Sequence, residues 1–275
     1  MPPELPPIAT LLIIIATGAV SVPAFTNYRL RDNLIFSPRA ILADKEYHRL
    51  VSSAFLHADW QHLIFNMLSL YLFGQNMEPA IGVQRFLLIY FASIVGGSLL
   101  SLWLHRHHEY LSLGASGGVC GIIFSSVFLF PGSAIRFFML PVPIPGWLYA
   151  ILFLAFEFYG GRRQRSNIGH DAHLGGAVIG LLTTTALFPE IVQWSPWLYA
   201  AVMAMSILMF VYLWQNPLNL PPGAFFRSWS GPSARTPKTV PTTGLVDAIL
   251  EKVSREGIQS LTKKERKILD QAAKK

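Results

Sequence analysis

Cysteine is almost missing from the 275 residues: Cys120 stands alone, so no bridge can form within the chain and a disulfide scaffold is excluded. Charge is scarce as well. Asp, Glu, Lys and Arg make up 13% of the chain, about half the share of an ordinary soluble domain. So few charges cannot cover the surface of a soluble protein that is 52% hydrophobic. There is no glycine period, and the mean hydropathy of +0.42 is far from that of a disordered chain, so collagen and disorder are excluded too. What remains is an all-α polytopic membrane protein.

The net charge of +7 is unevenly placed. Residues 1–221 hold eleven Lys/Arg against ten Asp/Glu, and residues 222–275 hold eleven against five. A basic balance in a soluble protein would point to nucleic acid. Here the excess follows the last apolar stretch, so the reading is a solvated tail facing water or anionic lipid, with no nucleic-acid partner.

A membrane-crossing helix needs about 20 mostly apolar residues. Seven stretches approach this, near 8–25, 61–78, 84–104, 115–131, 135–158, 171–188 and 195–214. The first lacks the basic flank of a cleaved signal and is read as a retained span. Trp60, Trp103, Trp194, Trp197 and Trp214 fall near span ends, where interfacial anchors belong. The second, fourth and sixth stretches carry His62, Asn66, Ser116 and His173 and are read as an inner set. The connection 26–60 mixes aliphatic and aromatic residues with Arg29, Arg31, Arg39, Lys45 and Arg49, as an interfacial element does. The stretch 216–243, rich in Pro, Ser, Thr and Gly, reads as a linker. Residues 244–275 read as a small helical hairpin, with Thr262 and Glu265 spaced as a capping box.

Three polar clusters open apolar stretches. His57, His62 and Asn66 precede and enter the second, and the last two share a helix face one turn apart. Gly114-Ala115-Ser116-Gly117-Gly118 opens the fourth, with glycines flanking the serine and Gly117 and Gly121 in GxxxG spacing. His170-Asp171-Ala172-His173 opens the sixth, where His173, Gly176 and Gly180 lie on one face. Singly, each has an ordinary structural explanation: tight packing, a serine bonded to its own helix, an interhelical clamp, a core histidine. Together they are the parts of acyl transfer. A serine hydroxyl becomes a nucleophile when an imidazole takes its proton. Donors must then face the oxygen on which charge grows. His173 is the candidate base, and His62, Asn66 and the Ser116 amide are the candidate donors. Asp171 is two residues from His173 and off its face, so a Ser–His dyad is expected rather than a triad. A zinc site would need more than the HxxH of His170 and His173, so no metal and no cofactor are expected. His105, His107 and His108 read as a solvated turn.

These residues resemble the rhomboid family of intramembrane serine proteases. The resemblance rests on His57-x4-His62-x3-Asn66, on Gly114-x-Ser116-Gly117 and on Ala172-His173-Leu174-Gly175-Gly176, in order on three spans, and covers roughly residues 8–190. It implies a six-helix catalytic core, residues 1–190, followed by one additional transmembrane helix at 191–215. It implies Ser116 as nucleophile, His173 as general base, and an oxyanion site of His62, Asn66 and the Ser116 amide. Gly114, Gly117, Cys120, Gly176, Arg49 and His57 are supporting positions. Arg49 matches a family arginine in the first long loop, but His48 stands before it where tryptophan is usual. Cys120 occupies the place of a tyrosine that stacks on the catalytic histidine in many members. The tail resembles a short helical extension found after some bacterial members.

The resemblance implies an integral multi-pass protein of a bacterial cytoplasmic membrane. Its partners would be the lipid bilayer and single-pass membrane proteins, unwound locally so that a carbonyl reaches Ser116. Close approach at Gly117 and Gly118 is read as favouring a small residue beside the cut. The rival readings are a non-catalytic relative that binds membrane helices, and a transporter, against which the lack of an internal repeat counts. The connections 26–60, 105–114 and 159–170 hold nine Lys/Arg, which by charge counting places them inside. The family orientation puts the same side outside, and we adopt it. Because a thiol packs as a small apolar group, activity is expected with Cys120 in place. Cys120→Tyr should therefore not raise turnover many-fold, measured as cleavage of a model substrate in detergent.

Overall fold

Within lipid a backbone can satisfy its own N–H and C=O groups by closing into helices, and that is the architecture found. The structure, a computed structural model, describes residues 6–107, 109–135, 143–163 and 169–215, with 252, 253, 261, 262 and 265 in the tail; for 157–163 it describes the backbone only. Contacts divide the chain into two units, Met1–Phe225 and Phe226–Lys275.

The first unit begins with α1 (Ile8–Ala24), α2 (Tyr28–Leu34), α3 (Pro38–Leu42) and α4 (Arg49–Ser52), then a 3₁₀ turn, Ser53–Phe55. It continues with α5 (Trp60–Ile81), α6 (Val83–His105), α7 (Ser116–Leu129), strands β1 (Ala134–Ile135) and β2 (Ile144–Pro145), and α8 (Gly146–Arg163). It closes with α9 (His170–Leu187), α10 (Ile191–Trp194) and α11 (Pro196–Gln215). The seven long helices each overlap one of the seven apolar stretches. By length and composition α6 and α11 can cross a membrane, and α1, α7 and the first part of α8 are shorter apolar helices.

Caps explain why 26–60 breaks into short pieces. The side chains of Asn27 and Ser37 accept the amides of Leu30 and Ala40, and Asp59 accepts that of His62, so each ends a loop and starts a helix. Arg49, 7% exposed, pins the segment by donating to the carbonyls of Asp32 and Ile35 at 2.6 and 2.8 Å and pairing with Glu46. His48 donates from Nε2 to the Asn33 carbonyl at 3.0 Å, so this imidazole also fastens the loop. The N-terminus of α1 has no cap of its own. Glu78 of α5 supplies one, accepting the amides of Ala9 and Thr10 at 2.8 Å each and the Thr10 hydroxyl at 2.7 Å.

Three expectations need correction. The fifth helix starts at Gly146, not near 135, because Pro143 and Pro145 lack the amides a helix needs; Ala134–Ile135 instead pairs antiparallel with Ile144–Pro145. The inner set is α6, α7 and α9: the fourth and sixth apolar stretches belong to it as expected, and the third takes the place of the second. Helix α5 exposes Ile64, Phe65, Leu68 and Tyr71, whereas the strongly apolar α6 buries Phe86, Tyr90, Ser93, Gly97 and Ser101. Small residues, not low hydropathy, mark the central helix. Finally, His105 is no part of a solvated turn. It is the last residue of α6 and 3% exposed, while His108 lies outside the described residues.

The centre is packed backbone to backbone. A Cβ at Gly176 of α9 would overlap the backbone of Gly117 in α7, and one at Gly180 would overlap Gly121. Gly97 of α6 faces the Ala172 carbonyl in the same way. Hydroxyls complete the contact: Thr184 donates to Ser125 at 2.6 Å, and Ser125 to the Gly121 carbonyl at 2.7 Å. Trp103 joins α6 to α11 by stacking on Phe210 at 5.4 Å, while Trp60, Trp194, Trp197 and Trp214 are half exposed or more.

In the second unit, Thr262 and Glu265 form the expected capping box. The Thr262 amide donates to the Glu265 carboxylate at 2.7 Å, and the Glu265 amide to the Thr262 hydroxyl at 3.3 Å. Lys252 reaches the same carboxylate at 3.1 Å. The remainder of the expected hairpin, and the linker 216–243, lie outside the described residues.

A single methyl at the α7–α9 contact should force the helices apart. Gly176→Ala is expected to cost about 1–3 kcal/mol, read as a lower midpoint of thermal unfolding in detergent. Gly18→Ala, where a Cβ meets nothing within 4 Å, is the control expected to be neutral.

Candidate active site

Ser116 is the first residue of α7, so it inherits the helix start, where backbone amides lack intrahelical acceptors. The strand-like run before it is pinned at alternate residues. Ser112 and Phe36 exchange backbone hydrogen bonds at 3.0 and 3.3 Å, and the Gly114 amide donates to the Ser53 carbonyl at 3.0 Å. The Ala115 amide donates to His57 Nε2 at 3.4 Å. Gly114 has φ of +129°, which side chains rarely adopt, and this turn swings the chain from the loop into α7.

His173 is the fourth residue of α9, its amide bonded to the Gly169 carbonyl at 3.1 Å. Its Nε2 lies 2.6 Å from Ser116 Oγ, and both side chains are partly buried. At that distance an unprotonated imidazole nitrogen can take the hydroxyl proton.

Backbone amides can only donate, so they fix two further imidazoles. His62 Nδ1 accepts the Ala58 amide at 3.5 Å, which leaves the proton on Nε2. His57 Nε2 accepts from Ala115, which leaves the proton on Nδ1, donated to Ser21 Oγ at 3.0 Å; Ser21 in turn donates to the Phe55 carbonyl at 2.8 Å. The donor face of His62 lies against Gly114. The point where a Cβ of residue 114 would stand is 3.0 Å from His62 Nε2 and 3.6 Å from Ser116 Oγ. That point is also 2.9 Å from His62 Cε1, so a side chain at 114 would press on the imidazole, and glycine lets the backbone pass close to both His62 and the serine.

The other expected positions fall as follows. Asn66 is buried one turn below His62 and donates from Nδ2 to the His62 carbonyl at 3.0 Å, so one of its two amide protons is committed to its own helix. Gly117 and Gly176 are the α7–α9 contact. Cys120 is 5% exposed and packs with Phe124, Leu174 and Ala177. Arg49 holds the 26–60 segment, away from the serine. The clearance attributed to Gly117 and Gly118 is corrected: the first faces the Ala172 carbonyl and the second Tyr90 and Ile94, so both serve helix packing. Gly114 is the glycine that brings the backbone close to both His62 and Ser116. Among the described residues no group of three His, Cys, Asp or Glu is arranged to hold a metal. Ser21 was not singled out from the sequence, nor was the pairing of His105 with Asp171; Ser21 carries no local signal, whereas a histidine ending one apolar stretch and an aspartate starting another were visible.

Two family models and several curated proteins are similar to this chain. The rhomboid domain family matches residues 44–190, and a family of unknown function, DUF6576, matches residues 245–275. The chain is 31% identical over 178 residues to yeast Rhomboid protein 1, mitochondrial, covering 62% of this chain and 51% of that one. It is 28% identical over 203 residues to Rhomboid protease GluP of Bacillus subtilis, covering 73% of this chain and 37% of that one. It is 28% identical over 197 residues to Rhomboid protease AarA of Providencia stuartii, covering 63% and 68%. The chain spans about half the length of the first relatives it matches. It belongs to the rhomboid family, and so to a family of integral membrane proteins.

Burial, with His62 beside it, pulls the His57 pKa from 6.5 down to about 3. A proton on Nε2 would oppose the Ala115 amide. Since the unfolded chain takes up that proton first, the stability this imidazole contributes is complete above pH 6.5 and is lost as pH falls toward 3, at up to about 1.4 kcal/mol per pH unit. Thermal midpoints measured across that window should fall less steeply for His57→Gln than for the wild type.

Proposed function

We propose that the chain is an intramembrane serine endopeptidase. Ser116 attacks the scissile carbonyl while His173 takes its proton, and the developing oxyanion is held by His62 Nε2–H, Asn66 and the Ser116 amide. The same imidazole then returns the proton to the leaving amine, and water, activated in its turn by His173, releases the acyl group. The observation that carries this reading is the 2.6 Å separation of Ser116 Oγ and His173 Nε2, bridging two helices locked together by glycines. Relatives named as proteases support the same class of chemistry.

In this reading, residues 1–190 form a six-helix catalytic core and 191–215 add one transmembrane helix. A linker, 216–243, leads to the basic hairpin, 244–275. The substrate is a membrane segment of a single-pass protein, unwound near the cut. The location is a bacterial cytoplasmic membrane with the site opening outward; relatives with mitochondrial names belong to other membranes.

A fluorophosphonate that reacts with activated serines should label the wild type in detergent and should not label Ser116→Ala. Cleavage of a model single-pass substrate should fall at least ~10³-fold in both Ser116→Ala and His173→Ala. Absence of labelling in the wild type would instead favour a non-catalytic member that binds membrane helices.

A further inference from the structure

A second polar cluster lies two residues from His173 and has no part in the proposed chemistry. His105, the last residue of α6, brings Nε2 to 3.2 Å from Asp171 Oδ2, in the first turn of α9. Tyr110 of the loop leading to Ser116 donates from its hydroxyl to Asp171 Oδ1 at 3.3 Å. Its ring lies flat on His105, with centroids 3.6 Å apart and planes within 2°. Both partners are nearly sealed from solvent, with side chains 4% and 12% exposed. Burial, and the Asp171 carboxylate, push the Tyr110 phenol well above 10, so it remains a donor.

We infer that Asp171, with His105 and Tyr110, is a positioning device for the proposed dyad; the inference rests on that reading of Ser116 and His173. Three observations lead there. The cluster joins the end of α6, the start of α9 and the loop before α7, which are the elements that bear on the Ser116–His173 distance. The charge suits the helix end: a carboxylate in the first turn of α9 is favoured by the macrodipole. And Asp171, Ala172 and His173 each address a different neighbour. Asp171 turns to α6 and the loop, the Ala172 carbonyl is wedged against Gly97 and Gly117, and His173 turns to Ser116.

The wedge at Ala172 stops α9 from moving sideways but leaves rotation of its first turn about the helix axis. Asp171, on the far side of that turn, resists rotation. An imidazole about 6 Å from the axis moves roughly 1 Å for a rotation of about 10°. A displacement of that size can cost on the order of 100-fold in rate.

The test uses the full chain in detergent, with kcat and KM for a model single-pass substrate expressed per fluorophosphonate-labelled site, so that misfolded protein does not count. Asp171→Ala is expected to lower kcat roughly 10- to 100-fold with KM within about twofold, and to slow labelling of Ser116 in parallel. Asp171→Asn, which can still accept from Tyr110 and meet His105, should restore kcat to within about threefold. Tyr110→Phe removes one oxygen and should give a smaller loss, also in kcat; it carries the test if Asp171→Ala does not fold. Unchanged kcat per labelled site, or a change confined to KM, overturns the inference. Equal cleavage by the wild type and Ser116→Ala would instead defeat the reading of the dyad itself.

Discussion

The approach of α9 to α7 is the contact on which the rest of this molecule depends. Side chains on either helix would hold the two backbones apart, and lipid offers no hydrophobic force to pull them together, because lipid tails are as apolar as leucine. Glycine at 117, 121, 176 and 180 removes that spacing, so van der Waals contact runs backbone to backbone. The consequence appears at the top of both helices. Ser116 and His173 each lie near one end of this contact, Ser116 one residue before Gly117 and His173 three before Gly176. A hydrogen bond of 2.6 Å between them is therefore a product of helix packing and not of a flexible loop finding its partner.

A second layer is electrostatic without being ionic. Imidazoles in a dry setting are versatile because either nitrogen can carry the proton, and that freedom is removed here by backbone amides. One amide holds Nδ1 of His62 and another holds Nε2 of His57, so the two rings, 4.8 Å apart, expose opposite faces. His62 is left with a donor on the side of Gly114 and Ser116, while His57 turns its donor away to Ser21. The loop carrying Gly114 and Ala115 is fastened by the same amide that fixes His57. The geometry before Ser116 and the protonation state behind it are thus one constraint.

Much of this was legible in the residues, and what was not has physical reasons. The Gly-x-Ser-Gly run, the HxxxxHxxxN spacing and the His-x-x-Gly-x-x-x-Gly face pick out the serine, the candidate donor and the candidate base because helical periodicity projects them directly. Hydropathy misjudged which helices are central. Helix α6 is apolar enough to cross a membrane yet sits inside, since what admits a helix to the centre is the small-residue stripe of Ser93, Gly97 and Ser101 rather than polarity. The glycines around Ser116 were visible, but their tasks were not: sequence cannot distinguish a glycine facing Tyr90, as Gly118 does, from one set against a histidine ring beside a serine, as Gly114 is. Contacts between distant segments, such as Glu78 capping α1 or Ser21 meeting His57, leave no local pattern at all.

Asp171 illustrates how the same geometry decides roles. Two residues along a helix is a turn of about 200°, so a carboxylate at 171 cannot share the face from which His173 reaches the serine. An acidic residue so close to a candidate base invites assignment as the third member of a triad, and the helix forbids it. Instead the carboxylate faces His105 and Tyr110, on elements that converge from α6 and from the loop before α7. Its burial would be costly for an unpaired charge; paired with an imidazole and a phenol it becomes a junction of three segments. A carboxylate that orients a base from within hydrogen-bonding reach and one that orients the whole helix turn carrying the base do similar geometric work by different routes. In a bundle whose helices already touch through glycine, the second route requires only that the turn be kept from rotating.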